Sequence, residues 1–184
     1  FYRRREVMDA VNLIRVVLDG NDHLALLGFI RSPMVGTPDA AVIPLWERGF
    51  PGLMSELHRT GHMPSTLADV ITDAAGAIPP DAEGAGQVTG WECALREAIR
   101  SITLLRHSFA TEPANVVVDR LRELSFAEPI EGARYLGEHR AANLDQLFRR
   151  VMELLTRRET GPDLILRELT ERVRASLPEQ DAAV

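Results

Sequence analysis

Apolar residues recur along the chain at the three-to-four spacing that is typical of an amphipathic helix. The first stripe begins at Val7 and ends at Leu18, just before the polar turn 19–22. Asp22 can cap a second helix, which has to end before Pro33 because proline disfavours helical geometry in the residue that precedes it. The pattern therefore predicts a pair of helices joined by a short turn.

The rest of the chain continues this pattern and lacks the alternation that is typical of a strand. Helices are predicted over 39–48, 53–59, 64–76, 91–109, 113–124, 143–155 and 163–177. Pro44 is expected to shorten or kink the first of these. Residues 76–90 are rich in Gly, Pro, Ala and Asp and are expected to form a mobile internal loop. The predicted fold class is all-α, an irregular multi-helix bundle.

Length and composition indicate one globular domain. The chain has 184 residues, of which 45% are hydrophobic, enough to bury a real core. No apolar run approaches the roughly 20 residues of a membrane-spanning helix, so we expect a cytoplasmic protein with no membrane partner. The single cysteine, Cys93, excludes an internal disulfide and is expected to fill the core. Phe1 at the start and the small and acidic residues 179–184 at the end suggest a piece cut from a longer chain.

Charge and residue types limit the chemistry that this chain can perform. The formal net charge is -6, which argues against a general polyanion binder, so any contact with nucleic acid has to be local. Every basic residue is Arg, and without Lys the chain cannot supply the lysine of a phosphate-binding loop. Gly61 breaks the predicted helix between His58 and His62, which makes a metal site there improbable. We find no spacing typical of a hydrolase triad, and the chain is expected to be noncatalytic, without a metal or cofactor of its own.

The opening segment FYRRREVMDA resembles the F[FY]xRxE[VI]xD motif of the helicase family of UvrD, Rep and PcrA and of the RecB and AddA helicase–nucleases. The matching residues are Phe1, Tyr2, Arg4, Glu6, Val7 and Asp9. In that family the motif follows a Gly-Gly pair at the exit from the second motor domain. A charged helix start is the alternative interpretation of the same residues.

Residues 22–39 resemble a second segment, D-x-x-A-L-L-x-x-L-R-S-P-L-x-G-x-x-D, of the AddA and RecB branch; Pro33 belongs to its Arg-Ser-Pro turn. In the UvrD and PcrA branch this turn reads Gly-Ile-Gly and resembles a helix-hairpin-helix contact for duplex phosphates. The resemblance, together with the free N–H groups expected at a helix start, makes Arg31, Gly36 and Thr37 candidate DNA-binding residues. Pro38 replaces the second glycine and removes one donor, so the contact is expected to be weak.

Residues 137–147, GEHRAANLDQL, resemble a third segment, G-x-x-R-x-x-N-L-x-x-L, which precedes the return to the motor domain in that family. Arg140 and Asn143 are the matching polar residues. The alternative is structural: Asn143 caps a helix that begins near it, and Arg140 pairs with a neighbouring carboxylate such as Glu138.

Together, the three segments imply that residues 1–184 are a single helical subdomain of a larger helicase, the accessory subdomain called 2B. The resemblance implies that ATP, Mg²⁺ and any exonuclease activity belong to other parts of that parent protein. This subdomain would be noncatalytic and would contact DNA, the motor domains or a partner subunit during DNA repair or recombination. The alternative is a free-standing helical protein-interaction module that never binds DNA.

Overall fold

The computed structural model describes residues 4–79, 90–125, 134–157 and 161–176. Within these ranges it contains nine helices and no strand, so the predicted fold class, an all-α multi-helix bundle, is confirmed. The helices are α1 (Arg5–Leu18), α2 (His23–Ile30), α3 (Asp39–Glu47), α4 (Phe50–Thr60), α5 (Leu67–Gly76), α6 (Trp91–Thr111), α7 (Ala114–Ser125), α8 (Arg134–Thr156) and α9 (Pro162–Ser176). Phe1, Tyr2 and residues 80–89 of the predicted loop lie outside the described residues. Among the described helices, none combines the length and the apolar character needed to cross a membrane.

Helix α1 lies at the centre of the bundle and packs against α2, α6, α8 and α9. Its apolar residues cover more than one stripe, because Leu13 and Val16 widen the face that begins at Val7. All three side chains are buried. A helix that is apolar on several faces is stable only when it is surrounded, and this explains why elements from both halves of the sequence pack around α1.

Helices α3, α4 and α5 pack on one another, and α5 connects them to α6. Asp22 caps α2 as predicted, since its carboxylate accepts from the amide of Ala25 at 3.0 Å. Helix α3 continues through Pro44 and ends at Glu47, so this proline does not shorten the helix; that it kinks the helix stays a prediction. Buried Leu45 at the following position holds the last turn against the core.

Two sequence predictions fail on helix geometry. Helix α8 begins at Arg134, so Asn143 lies inside the helix and the predicted capping role is wrong. Cys93 is exposed, so the predicted core-filling role is also wrong. Trp91 and Leu95 are buried, and each is two positions from Cys93. At about 100° per residue, that separation places Cys93 on the opposite side of α6.

Candidate nucleic-acid interface

The turn between α2 and α3 is closed by hydrogen bonds to Ser32. The Ser32 hydroxyl donates to the carbonyl of Phe29 at 2.6 Å, and the Ser32 carbonyl accepts from the amides of Val35 at 3.0 Å and Gly36 at 2.8 Å. Gly36 has φ 69°, in the left-handed region that glycine adopts without a steric penalty. Because Val35 and Ser32 are buried, the turn is anchored in the core and not only by its own backbone.

Thr37 continues this internal bonding and does not face solvent. Its amide donates to the carbonyl of Ile30 at 3.0 Å, and its side chain is 4% exposed. Its hydroxyl has no hydrogen-bond partner among the described residues. The expectation that the amides of Gly36 and Thr37 are unpaired is therefore wrong, because the turn uses both of them to close itself. Whether the turn binds DNA stays a prediction.

Arg31 lies on the surface of this turn and is paired with Asp39. Its Nε donates to Oδ1 at 2.6 Å and its Nη2 donates to Oδ2 at 2.9 Å, which is a bidentate geometry. The hydrogen bond raises the pKa of Arg31 and lowers the pKa of Asp39. The side chains are 49% and 72% exposed, so water screens the attraction strongly. A phosphate at this turn has to displace Asp39 before it reaches the full charge of Arg31.

The pairing of Arg31 with Asp39 was not predicted from the sequence. The signal that could have revealed the pair is the closed turn itself: Pro33 and Gly36 reverse the chain, so residues on its two sides become neighbours. Pro33 is exposed at the tip of this turn, where it contributes rigidity.

Two of the motif residues from opposite ends of the sequence meet directly. The side-chain amide of Asn143 in α8 donates to a carboxylate oxygen of Glu6 in α1 at 2.7 Å, across 137 residues of sequence. Arg4 is exposed just before α1, and Asp9 lies 4.0 Å from the guanidinium of Arg5. Arg140 belongs to α8, but its side chain lies outside the described part.

The described residues contain no group of three or more His, Cys, Asp or Glu side chains that could hold a metal ion. A scan against protein-family models, a search of the curated proteins and a search of the solved structures find no match to this chain.

Proposed function

We propose that this chain is a noncatalytic accessory subdomain of an ATP-dependent DNA helicase or helicase–nuclease that acts in DNA repair or recombination. The observation that carries the proposal is the meeting of the three resembling segments around α1. The first segment forms the start of α1, the second forms α2 and its turn, which pack on α1, and Asn143 of the third contacts Glu6 of the first.

The contact between Glu6 and Asn143 is more than a surface pairing. Both side chains are partly buried, and a hydrogen bond to a charged group contributes about 1.5–3 kcal/mol to stability when its partners are kept from water. Helices α1 and α8 pack on each other, and this contact joins a motif residue of the first segment to one of the third. Their contact supports the interpretation that the segments are parts of one structural unit.

The same proposal assigns a mechanical and regulatory role to the subdomain. Since the sequence contains no lysine, the phosphate-binding lysine of the motor has to come from another part of the parent protein. ATP and Mg²⁺ then bind outside this chain. Its own contribution is to contact DNA through the Arg31 turn, or a partner subunit, and so to adjust unwinding.

The test begins with the gene. The reading frame that encodes this chain should continue on both sides, with a phosphate-binding loop upstream and a further motor motif downstream of Val184. In the longer protein, deletion of residues 1–184 should retain DNA-stimulated ATP hydrolysis and change the rate of strand separation. A complete gene bounded by Phe1 and Val184, or a longer protein without motor motifs, would contradict the proposal and favour the protein-interaction module.

A further inference from the structure

An apolar groove of about 250 Å³ lies between the α4–α5 connection, the start of α5 and the middle of α6. Pro64, Leu67, Ile71 and Ile99 contribute to its walls. Met63 also lines the groove and is 47% exposed. Small-molecule sites usually enclose about 300–1,000 Å³, so this volume is small for a drug-sized ligand. It suits one or two apolar side chains inserted from a peptide.

The charged residues that line the groove are both cationic, although the chain as a whole carries a net charge of -6. Arg96 donates through Nη2 to the hydroxyl of Thr72 at 2.9 Å and to the carbonyl of Ala68 at 3.5 Å. Both acceptors are neutral, and Arg96 has no carboxylate partner in the described part of the chain. Among the described residues, its positive charge at the groove therefore has no ion-pair partner.

Arg100 is the second cation at the groove. It pairs with Glu97 at 2.9 Å, and both side chains are 68% exposed. An exposed pair of this kind contributes little to stability, because water screens the attraction between the two charges. Arg100 can therefore exchange Glu97 for a carboxylate of a bound partner at low cost.

We propose that this groove binds an acidic, apolar segment of a partner protein. A side chain of the size of Leu or Phe packs on Met63 and Pro64 at the mouth of the groove, above the buried Ile71 and Ile99, and a carboxylate on the same segment pairs with Arg96. Complementary charge favours an acidic segment, since Arg96 and Arg100 both lie beside the apolar groove. Single-stranded nucleic acid fits less well because its bases need aromatic side chains to stack on, and the groove is lined by none. The proposal does not depend on the assignment to helicases.

Cys93 provides the probe for the test. It is the one cysteine of the chain, it is exposed, and it precedes Arg96 by one turn of α6. A bimane group on Cys93 reports binding at the groove through its emission. The ligands are two synthetic amphipathic peptides with the same Leu and Phe residues, one carrying Asp and Glu and the other carrying Lys at every charged position.

The acidic peptide should shift the bimane emission with saturation, and the Lys peptide should not. Arg96→Gln should weaken the acidic peptide about tenfold, and Met63→Glu should weaken it through repulsion at the mouth of the groove. Arg96→Glu should lose the acidic peptide and gain the Lys peptide. Arg157→Gln, an exposed arginine at the end of α8, is the matched control and should bind like the unchanged protein.

Equal binding of the two peptides, or unchanged binding by both Arg96→Gln and Met63→Glu, would overturn the proposal. A single-stranded oligonucleotide that shifts the emission more strongly than the acidic peptide would overturn it as well and would identify a nucleic-acid site. If circular dichroism shows that an Arg96 variant has lost its helices, Met63→Glu decides alone, because Met63 is already half exposed.

Discussion

His58 lies near the end of α4, beside the guanidinium of Arg106 from α6. Arg106 donates to the carbonyl of His58, one of the last backbone acceptors of α4, and also to that of Leu57, which already accepts from the amide of Gly61. The Nδ1 atom of His58 is buried with no hydrogen-bond partner in the described part. Burial first and the charge of Arg106 second lower the pKa of His58, and Asp19 offsets this only partly.

This arrangement predicts that acid weakens the fold through His58. Its folded pKa lies below the unfolded value of 6.5, so the unfolded chain binds more protons between the two values, and the free energy of unfolding falls as the pH decreases through that window. Urea unfolding at roughly pH 7 and pH 5.5 should show a smaller loss for His58→Gln than for the unchanged protein. Exposed His107→Gln is the control. An equal loss in all three proteins would contradict the prediction.

Gly20 lies where the α1–α2 turn packs closely against α4 and leaves no room for a side chain. A Cβ atom built on Gly20 would lie 2.1 Å from the Cβ of His58, and this part of the side chain cannot move without the helix. Gly20→Ala should therefore lower the free energy of unfolding by ~1–3 kcal/mol, the usual cost of overpacking. Gly52→Ala is the matched control, since its Cβ meets nothing within 4 Å. Because Gly52 is helical, this change should stabilise by ~0.5–1 kcal/mol. Urea denaturation measures the free energy of unfolding of both variants. If the two substitutions change it in the same direction, the close packing of Gly20 against His58 is contradicted.

At the scale of the elements, the sequence predicts most helices because apolar spacing and caps are local signals. The observed bounds of α1 and α6 follow their stripes from Val7 and Trp91. The start of α8 was missed because Asn143 suggested a cap for a helix beginning near it, whereas the Arg, Glu and Ala residues before it favour helix. Contacts such as the one between Glu6 and Asn143 could not be predicted, since they depend on how distant helices pack and no spacing rule connects them.

The hydrogen bond between Glu6 of α1 and Asn143 of α8 predicts that substitutions at these two residues have coupled effects on stability. Asn143→Ala should lower the free energy of unfolding by about 1.5 kcal/mol, the lower end of the range for a hydrogen bond to a charged group, because it removes the donor to Glu6 and both side chains are only partly buried. Asn143→Asp should cost more, because it places a second carboxylate beside Glu6. Adding Glu6→Gln to Asn143→Asp restores an amide–carboxylate pair with its ends exchanged and should recover most of the loss. A thermodynamic cycle measured by urea unfolding tests this, and strictly additive effects would show that the two helices are not coupled through this bond.

At the scale of the whole molecule, the turn that carries the candidate DNA site was predicted from the sequence, but its internal contacts were not. The segment 31–39 was identified from its residues, and the structure indeed forms an anchored turn there. The pairing of Arg31 with Asp39 and the internal use of the Gly36 and Thr37 amides were missed, because their geometry depends on how the turn closes, which Pro33 and Gly36 only indicate. With a net charge of -6, the molecule lacks a broad positive field to attract DNA. Its affinity for DNA therefore depends on whether Arg31 pairs with Asp39 or with a phosphate.

The competition between Asp39 and a phosphate for Arg31 predicts that two substitutions change the affinity for duplex DNA in opposite directions. The isolated chain should bind weakly, at about 10⁻⁴ to 10⁻⁶ M, with affinity that falls as salt rises. Arg31→Ala should weaken binding and reduce the salt slope by about one. Asp39→Asn should strengthen binding, because it releases Arg31 from its bidentate partner and removes one negative charge from the surface. Fluorescence anisotropy over a salt series measures these effects.

The double variant separates the two causes of the expected gain. If Asp39→Asn acts by releasing Arg31, the gain should disappear when Arg31→Ala is added, whereas a general charge effect would persist in that background. Arg157→Ala, which removes an exposed arginine at the end of α8, should change binding no more than any single surface charge does. An Arg157 effect equal to the Arg31 effect, or an Asp39→Asn gain that does not depend on Arg31, would show that DNA binds elsewhere and that the turn between α2 and α3 is a structural connection only.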